Sequence, residues 1–563
     1  MEEYALLAVV AVLIIVATSL FAQKHGVAAP VLLVLVGIGC SFIPGTPEIL
    51  VEPEWILAIV LPPILYAAAV NVPVTDFRRS IGTITALSVV LVVVSALAAG
   101  TLIWWLIPGL GLPAAIALGA VVSPPDAVAA ISIGKRLGLP PRLITALEGE
   151  GLVNDATALV LLRTAVAAIA GSFSFWDALG DFGYALAVGI AVGALVGLVS
   201  VRVRSAIRQE PVLTTAISFV VPFLAFIPAE HLGASGVIAV VTAGLITGHQ
   251  SARRFSAHDR IAERTNWRTI QTLLENGVFL LMGYEITAVV GDLRAEDRDI
   301  AAAVGIALAT TGVLIVVRAL FSAGLVLWLR SARRRAVGQL AFLDEFSDAV
   351  AAKGGGEGRF ARVERVVRRR RADAEALARE GLGWRGGAVL AWSGMRGVVT
   401  LAAAQSLPHD VPHRAELVFI AFTVAVTTLL LHGGTLPWLI RRLGIRGSDE
   451  AHERQELSRL MQEMSTATQE FLAGPSLRRE DGKPFDEEVL QEARSRAAAM
   501  GDAVAMLLDQ TDRETAFHQR RELNRQLLEV EQDVLLDARA EGTYSSKTLE
   551  RVQHFLDERG SRF

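Results

Sequence analysis

At 563 residues, 52% of them hydrophobic, and with a mean hydropathy of +0.47, the chain is too apolar for an ordinary water-soluble protein. The formal charge of -4 says little by itself, because the charges are strongly segregated along the sequence. Cys40 is the single cysteine, which excludes a disulfide framework and a thiolate metal site within one chain.

Apolar runs long enough to cross about 30 Å of hydrocarbon recur from the N-terminus onward. Residues 5–21 lack a basic leader and a small-residue cleavage site, so they read as a first membrane span. Further spans are predicted at 28–45, 54–72, 82–107, 113–134, 143–170, 176–201, 211–228, 233–249, 269–289, 299–329, 386–407 and 415–440, thirteen with the first. One alternating set of connecting loops carries Lys24, Arg78, Arg79, Lys135, Arg136, Arg202, Arg253 and Arg268 among others. The opposite set carries only Arg294, Arg298 and Arg414. By the positive-inside rule the N-terminus is expected outside and the C-terminus in the cytoplasm.

Residues 330–385 read as a basic cytoplasmic connection with helical pieces, containing Arg333 to Arg335, Gly354 to Gly356 and Arg368 to Arg371; the clustered arginines suit anionic headgroups. Residues 446–563 are charged and rich in Ala and Leu, with helical periodicity over Glu450 to Phe471 and Asp486 to Leu508. They read as a cytosolic helical tail beside a transmembrane domain of residues 1–445. The expected architecture is thus an all-α polytopic membrane protein. The fifth and twelfth spans, an odd number apart, are each interrupted by proline or glycine near the centre, as in inverted-repeat transporters.

Two acids stand inside these spans. Asp126 follows Ser123-Pro124-Pro125, where a regular helix cannot continue because Pro125 has no donor and Pro124 restrains Ser123. Unwinding there frees carbonyls such as those of Ser123 and Pro124 to face a cation. Asp155 closes Glu150-Gly151-Leu152-Val153-Asn154-Asp155. A carboxylate at membrane depth must be paired, hydrated by a cavity, or engaged with an ion or proton. Glu150 and Asn154, four apart, share a helix face. Arg396, in Gly394-Met395-Arg396-Gly397, is the expected counter-charge of Glu150. In this reading Glu150, Asn154 and Arg396 are a fixed scaffold while Asp155 and Asp126 exchange their load. The competing reading is one static polar network. Arg163, two turns beyond Asp155, has no evident role.

At these residues the chain resembles the monovalent cation:proton antiporters of the NhaP type, which include the eukaryotic sodium/proton exchangers. The resemblance rests on Glu148 to Asp155, Leu61-Pro62-Pro63-Ile64-Leu65, Ser123 to Ala129, Gly236 to Gly244 and Trp392 to Gly397, in order over about residues 5–445. It implies a homodimer of thirteen-span protomers in the cell membrane, exchanging sodium or a similar cation for protons. Asp155 and Asp126 would carry the ions, Asn154 would orient them, and Glu150 with Arg396 would be a structural pair. The Asn-Asp form resembles the electroneutral branch. Gly151, Ala67 and Ala127 depart from the family pattern, where serine, an acid and proline are common. Fewer site oxygens follow, and potassium is the rival cation. A channel lacks the continuous polar path it needs. Enzymatic chemistry lacks a motif, since His452-Glu453-Arg454-Gln455-Glu456 fails as HExxH at its last residue. Neither a cofactor nor a nucleic-acid partner is indicated.

Overall fold

The computed structural model describes residues 2–44, 52–169, 174–207, 210–352 and 383–445, then 450–474, 477–479, 483–495 and 514–541, with scattered single positions besides. The chain divides into two compact units, Met1–Gly447 and Ser448–Phe563.

The first unit is helical throughout its described residues. Its elements are α1 (Glu2–His25), α2 (Ala29–Ser41), α3 (Pro53–Asn71), α4 (Val74–Leu106), the half-helices α5a (Leu112–Val122) and α5b (Val128–Arg136), and α6 (Pro141–Ile169). There follow α7 (Phe175–Ala206), α8 (Pro211–His231), α9 (Gly236–Arg254), α10 (Ala257–Tyr284, with a short continuation Ile286–Ala295) and α11 (Ile300–Ala352). The half-helices α12a (Trp384–Trp392) and α12b (Val398–Gln405) precede α13 (Arg414–Leu443). Each of the thirteen predicted spans falls on one helix or one pair of half-helices. Among the described residues, nine helices are long and apolar enough to cross a membrane. The remaining four depart for visible reasons: α2 is short, α9 ends in polar residues, and α5 and α12 are broken.

Local sequence explains the boundaries. Proline stands in the first turn of α2, α3, α5a and α8, where its missing donor costs nothing. Within α3, residues Ile56–Val60 form a widened π turn immediately before Leu61-Pro62-Pro63. Two successive prolines withhold donors from the preceding turn, and the wider turn accommodates that loss. The connection predicted at 330–385 with helical pieces starts as an extension of α11, which continues as helix to Ala352 because no glycine or proline pair interrupts the charged sequence. Its 53 residues span about 80 Å at helical rise, far more than a bilayer core. Farther on, Asp373 takes charge-assisted hydrogen bonds from Arg78 and Arg79 of α4. Gly354 to Gly356, Arg368 and Arg369 lie outside the described residues.

Leu6, Leu13 and Leu20 of α1 point outward, as expected of a helix that meets lipid. Lipid tails are as apolar as leucine, so helices in a bilayer gain most from close packing through small residues. Gly37 of α2 and Gly283 of α10 oppose each other: a Cβ on Gly283 would lie 2.2 Å from the Val34 carbonyl oxygen, and one on Gly37 would lie 2.3 Å from that of Leu280. Gly100 of α4 and Gly119 of α5a make the same contact, which presses the first broken helix onto α4. In the second unit, α14 (Glu450–Ala473) and α15 (Glu514–Glu541) are helices, and Ser465 donates to the Ala497 carbonyl at 2.9 Å. Helix is also present over 487–495, within the predicted 486–508 stretch, most of whose remainder lies outside the described residues.

Gly283→Val forces α2 and α10 apart by more than an ångström. We expect a loss of roughly 1–3 kcal/mol, the usual cost of overpacking, read as a lower thermal midpoint in detergent. An unchanged midpoint would show that these backbones do not touch.

Candidate functional site

The site is where the two broken helices cross. The α5 interruption, Ser123 to Ala127, meets the α12 interruption, Ser393 to Gly397. The Asp126 amide donates to the Met395 carbonyl at 2.6 Å. Arg396 Nε donates to the Val122 carbonyl at 2.7 Å, and a second guanidinium nitrogen donates to that of Gly394 at 2.5 Å. Val122 ends α5a and Gly394 lies just past the end of α12a, so one buried guanidinium sits at the carbonyl-rich ends of both first half-helices. That is where a helix macrodipole favours a cation. The Arg396 amide is taken up by Thr428 Oγ1 of α13 at 3.0 Å. Backbone freed by the breaks is therefore satisfied from within the protein, as lipid requires.

Asp126 has two jobs. Its Oδ1 accepts the Val128 amide at 2.8 Å and so satisfies one free donor at the start of α5b. Its Oδ2 faces Gly397, where a Cβ would stand only 2.1 Å from that oxygen. Glycine at 397 is what lets the second break approach this carboxylate.

Helix α6 presents different faces to different partners. Glu150 and Asn154 are fully buried. Asn154 Nδ2 donates to the Pro125 carbonyl at 2.5 Å, tying α6 to the first break, while its Oδ1 accepts the Asp155 amide at 2.7 Å. Glu150 is held bidentately by Arg318 of α11, at 2.5 and 2.8 Å, with both side chains almost wholly excluded from solvent. This corrects the expected pairing of Glu150 with Arg396. The Arg396 guanidinium is spent on backbone carbonyls, and the counter-charge comes from another helix. Arg318 also donates to the Leu390 carbonyl, which joins α11 to α12a.

The other face of α6, with Glu148, Gly151, Leu152 and Asp155, lines a cavity of about 570 Å³. Pro124, Pro125, Asp126 and Gly397 line it too, so Asp126, Asp155 and Pro124 share one chamber. Among the described residues, the Asp155 carboxylate has neither a hydrogen-bond donor nor a cation within ion-pair distance. Of the two freed carbonyls expected to face a cation, Pro124 belongs to the cavity lining and Ser123 does not; the Ser123 hydroxyl donates to the Ala120 carbonyl at 2.9 Å. The exposed side chains of Lys135, Arg264 and Arg268 border the open end, where Lys135 pairs with Glu148 at 2.8 Å. Arg163, left without a role in the sequence reading, pairs with Glu230, whose other oxygen accepts the Gly236 amide at the start of α9.

Two residues of the site escaped the sequence reading. Arg318 lies in Val316-Val317-Arg318-Ala319-Leu320, a charge inside an apolar run, which is the same signal that exposed Asp155. Glu275 of α10 lines the cavity and accepts from Gln271 at 2.7 Å; it too sits in a predicted span. No three His, Cys, Asp or Glu side chains among the described residues are placed to hold a metal ion together.

Two interrupted helices crossing beside an acid-lined cavity define an inverted-repeat membrane transporter fold. The transmembrane model of the sodium/hydrogen exchanger family matches residues 9–442, and the chain belongs to that family. An uncharacterized Na(+)/H(+) exchanger from Mycobacterium tuberculosis is 30% identical over 437 residues, covering 76% of this chain and 72% of the relative. The Na(+)/H(+) antiporter ApNhaP of Aphanothece halophytica is 28% identical, covering 75% and 71%. The solved sodium proton antiporter MjNhaP1 of Methanocaldococcus jannaschii superposes with a TM-score of 0.55 at 16% identity, over 78% of this chain and 99% of that one, a likeness of fold.

Arg318→Ala leaves the Glu150 charge buried and uncompensated, and breaking such a pair typically costs about 3–5 kcal/mol. We expect a correspondingly lower thermal midpoint, partly restored when Glu150→Gln is added. Strictly additive losses in that double-mutant cycle would show that the two side chains do not interact.

Proposed function

We propose that the protein is a secondary antiporter, not an enzyme, that exchanges a monovalent cation, sodium foremost, for protons by alternating access. The observation that carries this reading is the contrast within α6. Glu150 is locked to Arg318, whereas Asp155, five residues on and turned to the cavity, is left without a counter-charge beside Asp126. A carboxylate so placed is neutralised by a proton or by a cation, and one site that accepts either is the core of an exchange cycle. Asp155 and Asp126 are the proposed carriers. The Pro124 carbonyl and water complete the cation's shell, Asn154 holds the first break in position, and Glu150 with Arg318 keeps the crossing rigid.

The cavity borders Lys135, Arg264 and Arg268, which belong to the loop set read as cytoplasmic, so this conformation is proposed to face inward, with the N-terminus outside. Electroneutral exchange, a homodimer and a cell-membrane location form part of the same reading. Potassium remains the second candidate, because Gly151 offers the cavity no side-chain oxygen.

Asp155→Asn keeps the volume and removes the titrating group. Proton flux driven by sodium, potassium or lithium, followed with a pH dye in proteoliposomes, should vanish while the protein still purifies as a folded species. Undiminished flux in this variant would remove the central claim. Asp126→Asn should behave similarly, with any surviving flux found there, because the carbonyls of the break persist.

Competition also fixes the pH response. A bound cation favours the ionised carboxylate and a bound proton excludes the cation, so the two are linked. Below the site's working range the carriers stay protonated, and above it no proton is available to return. Rate against pH should therefore be bell-shaped, with its acidic limb moving to lower pH as cation concentration rises. A cation KM that is constant across the acidic limb would contradict competition even if transport occurs.

A further inference from the structure

The wall of the cavity formed by α10 carries a charge sequence that the exchange cycle above does not use. Arg264, Arg268, Gln271 and Glu275 recur at the four-three-four spacing that keeps residues on one helix face, and all four line the cavity. The stripe extends about 16 Å along the axis at helical rise. It begins with two exposed arginines at the open end and ends at the half-buried Glu275. Glu275 and Asp126 line the same chamber. Its one hydrogen bond among the described residues comes from Gln271, a neutral donor on the preceding turn.

A structural acid at this depth is expected to look like Glu150, gripped by an arginine. Arg268 lies two turns away on the same helix, too far along the axis for an i,i+4 partner, and the described ion pairs give Glu275 no cation. Nor is Glu275 a third ligand of the Asp126–Asp155 site, because no three acidic groups here converge on one metal position. It stands in the same chamber as the proposed carriers but is not grouped with them.

We propose that Glu275 is a way-station for the transported cation. Its carboxylate holds a hydrated cation on the cavity side, between the arginine-lined mouth and the Asp126–Asp155 pair, and raises the local cation concentration from which that pair loads. The arginines act in the opposite sense. Arg268 sets a repulsive field at the mouth, and Glu275 compensates it deeper in the chamber, where low-dielectric walls focus the field. The carrier pair is left unchanged, so Glu275 governs loading from the cavity face and not the exchange stoichiometry.

This inference rests on the proposed cation:proton exchange. It is tested with Glu275→Gln, which can still pair with Gln271, and with Glu275→Asp, Arg268→Gln and the unaltered protein. Sodium-driven proton flux is measured in inverted and in right-side-out membrane vesicles. For Glu275→Gln the sodium KM at the cavity face should rise about tenfold, while the KM at the opposite face and the rate at saturating sodium change less than twofold. Glu275→Asp should restore most of the affinity. Arg268→Gln should lower the same KM, and both effects should shrink as ionic strength is raised with an impermeant choline salt.

A cavity-face KM unchanged by Glu275→Gln overturns the proposal. So does an equal rise at both faces accompanied by a lower thermal midpoint, which assigns Glu275 a structural role. If the unaltered protein moves no protons with any alkali cation, the exchange reading itself falls and takes this inference with it. Exchange that persists while Glu275→Gln is silent removes only the way-station.

Discussion

The structure depends on one demand: backbone polar groups freed inside a bilayer must find partners in the protein. Breaking one helix at Pro124-Pro125 would leave carbonyls stranded in hydrocarbon. Breaking a second, oppositely directed helix at the same depth supplies the remedy. Met395 of one break receives the Asp126 amide of the other, and Arg396 returns the favour at the Val122 carbonyl. Thr428 and Asn154 secure the remaining edges from α13 and α6. The crossing is thus a mutual solution to two instabilities, and either break alone would be a poor membrane structure.

Rigidity at the crossing is what allows unpaired acids nearby. Five residues separate Glu150 from Asp155, which at 100° per residue turns them some 140° apart around α6. One is spent on Arg318 behind the crossing and the other is presented to the cavity in front. Buried ion pairs seldom add net stability over an apolar pair, but they penalise rearrangement heavily, because losing one partner strands the other. The Glu150–Arg318 pair, with Arg318 also bonded to Leu390, therefore fixes α6, α11 and α12a as one block. The proposed exchange site needs such a block: in that reading the load on Asp155 changes through the cycle, and the frame around it should not.

How much of this was legible beforehand follows from the kind of signal each feature leaves. Spans announce themselves by length and apolarity, and the two breaks by proline and glycine, because both are local properties of the chain. Asp126 and Asp155 stood out as charges in apolar runs. Partner choice is not local, and there the reading failed. Arg318 and Arg396 are both arginines inside spans, 78 residues apart, and nothing in one-dimensional order says which guanidinium reaches Glu150. The motif drew the assignment to Arg396, whose charge is in fact consumed by carbonyls that become visible only once α5 and α12 cross. The proline pair marks where carbonyls are freed but not which of them meets the cavity, and Pro124, not Ser123, is in the lining. Glu275 left the same signal as Asp155, but among the polar residues of α10 it did not stand out.

The departures from the family pattern become intelligible as packing. A Cβ on Gly151 would lie 3.1 Å from the Ala127 Cβ, so the small residues at 151 and 127 occupy one contact between α6 and the start of α5b. A serine at 151 would press on the Ala127 Cβ, so the side-chain oxygen missing at 151 goes with a close approach of α6 to the first break. Ala67 is likewise packed in the core, off the cavity, with its carbonyl taken by Asn71. What the site lacks in protein oxygens the chamber can provide as water, since its volume is many times the ~30 Å³ share of one molecule. A site that leaves part of the coordination shell to water does not impose a fitted cage. In the proposed exchange such a site would discriminate among alkali cations by how much hydration each must shed, which would make the carboxylates lining the chamber, more than any ring of carbonyls, the determinants of which ion is carried.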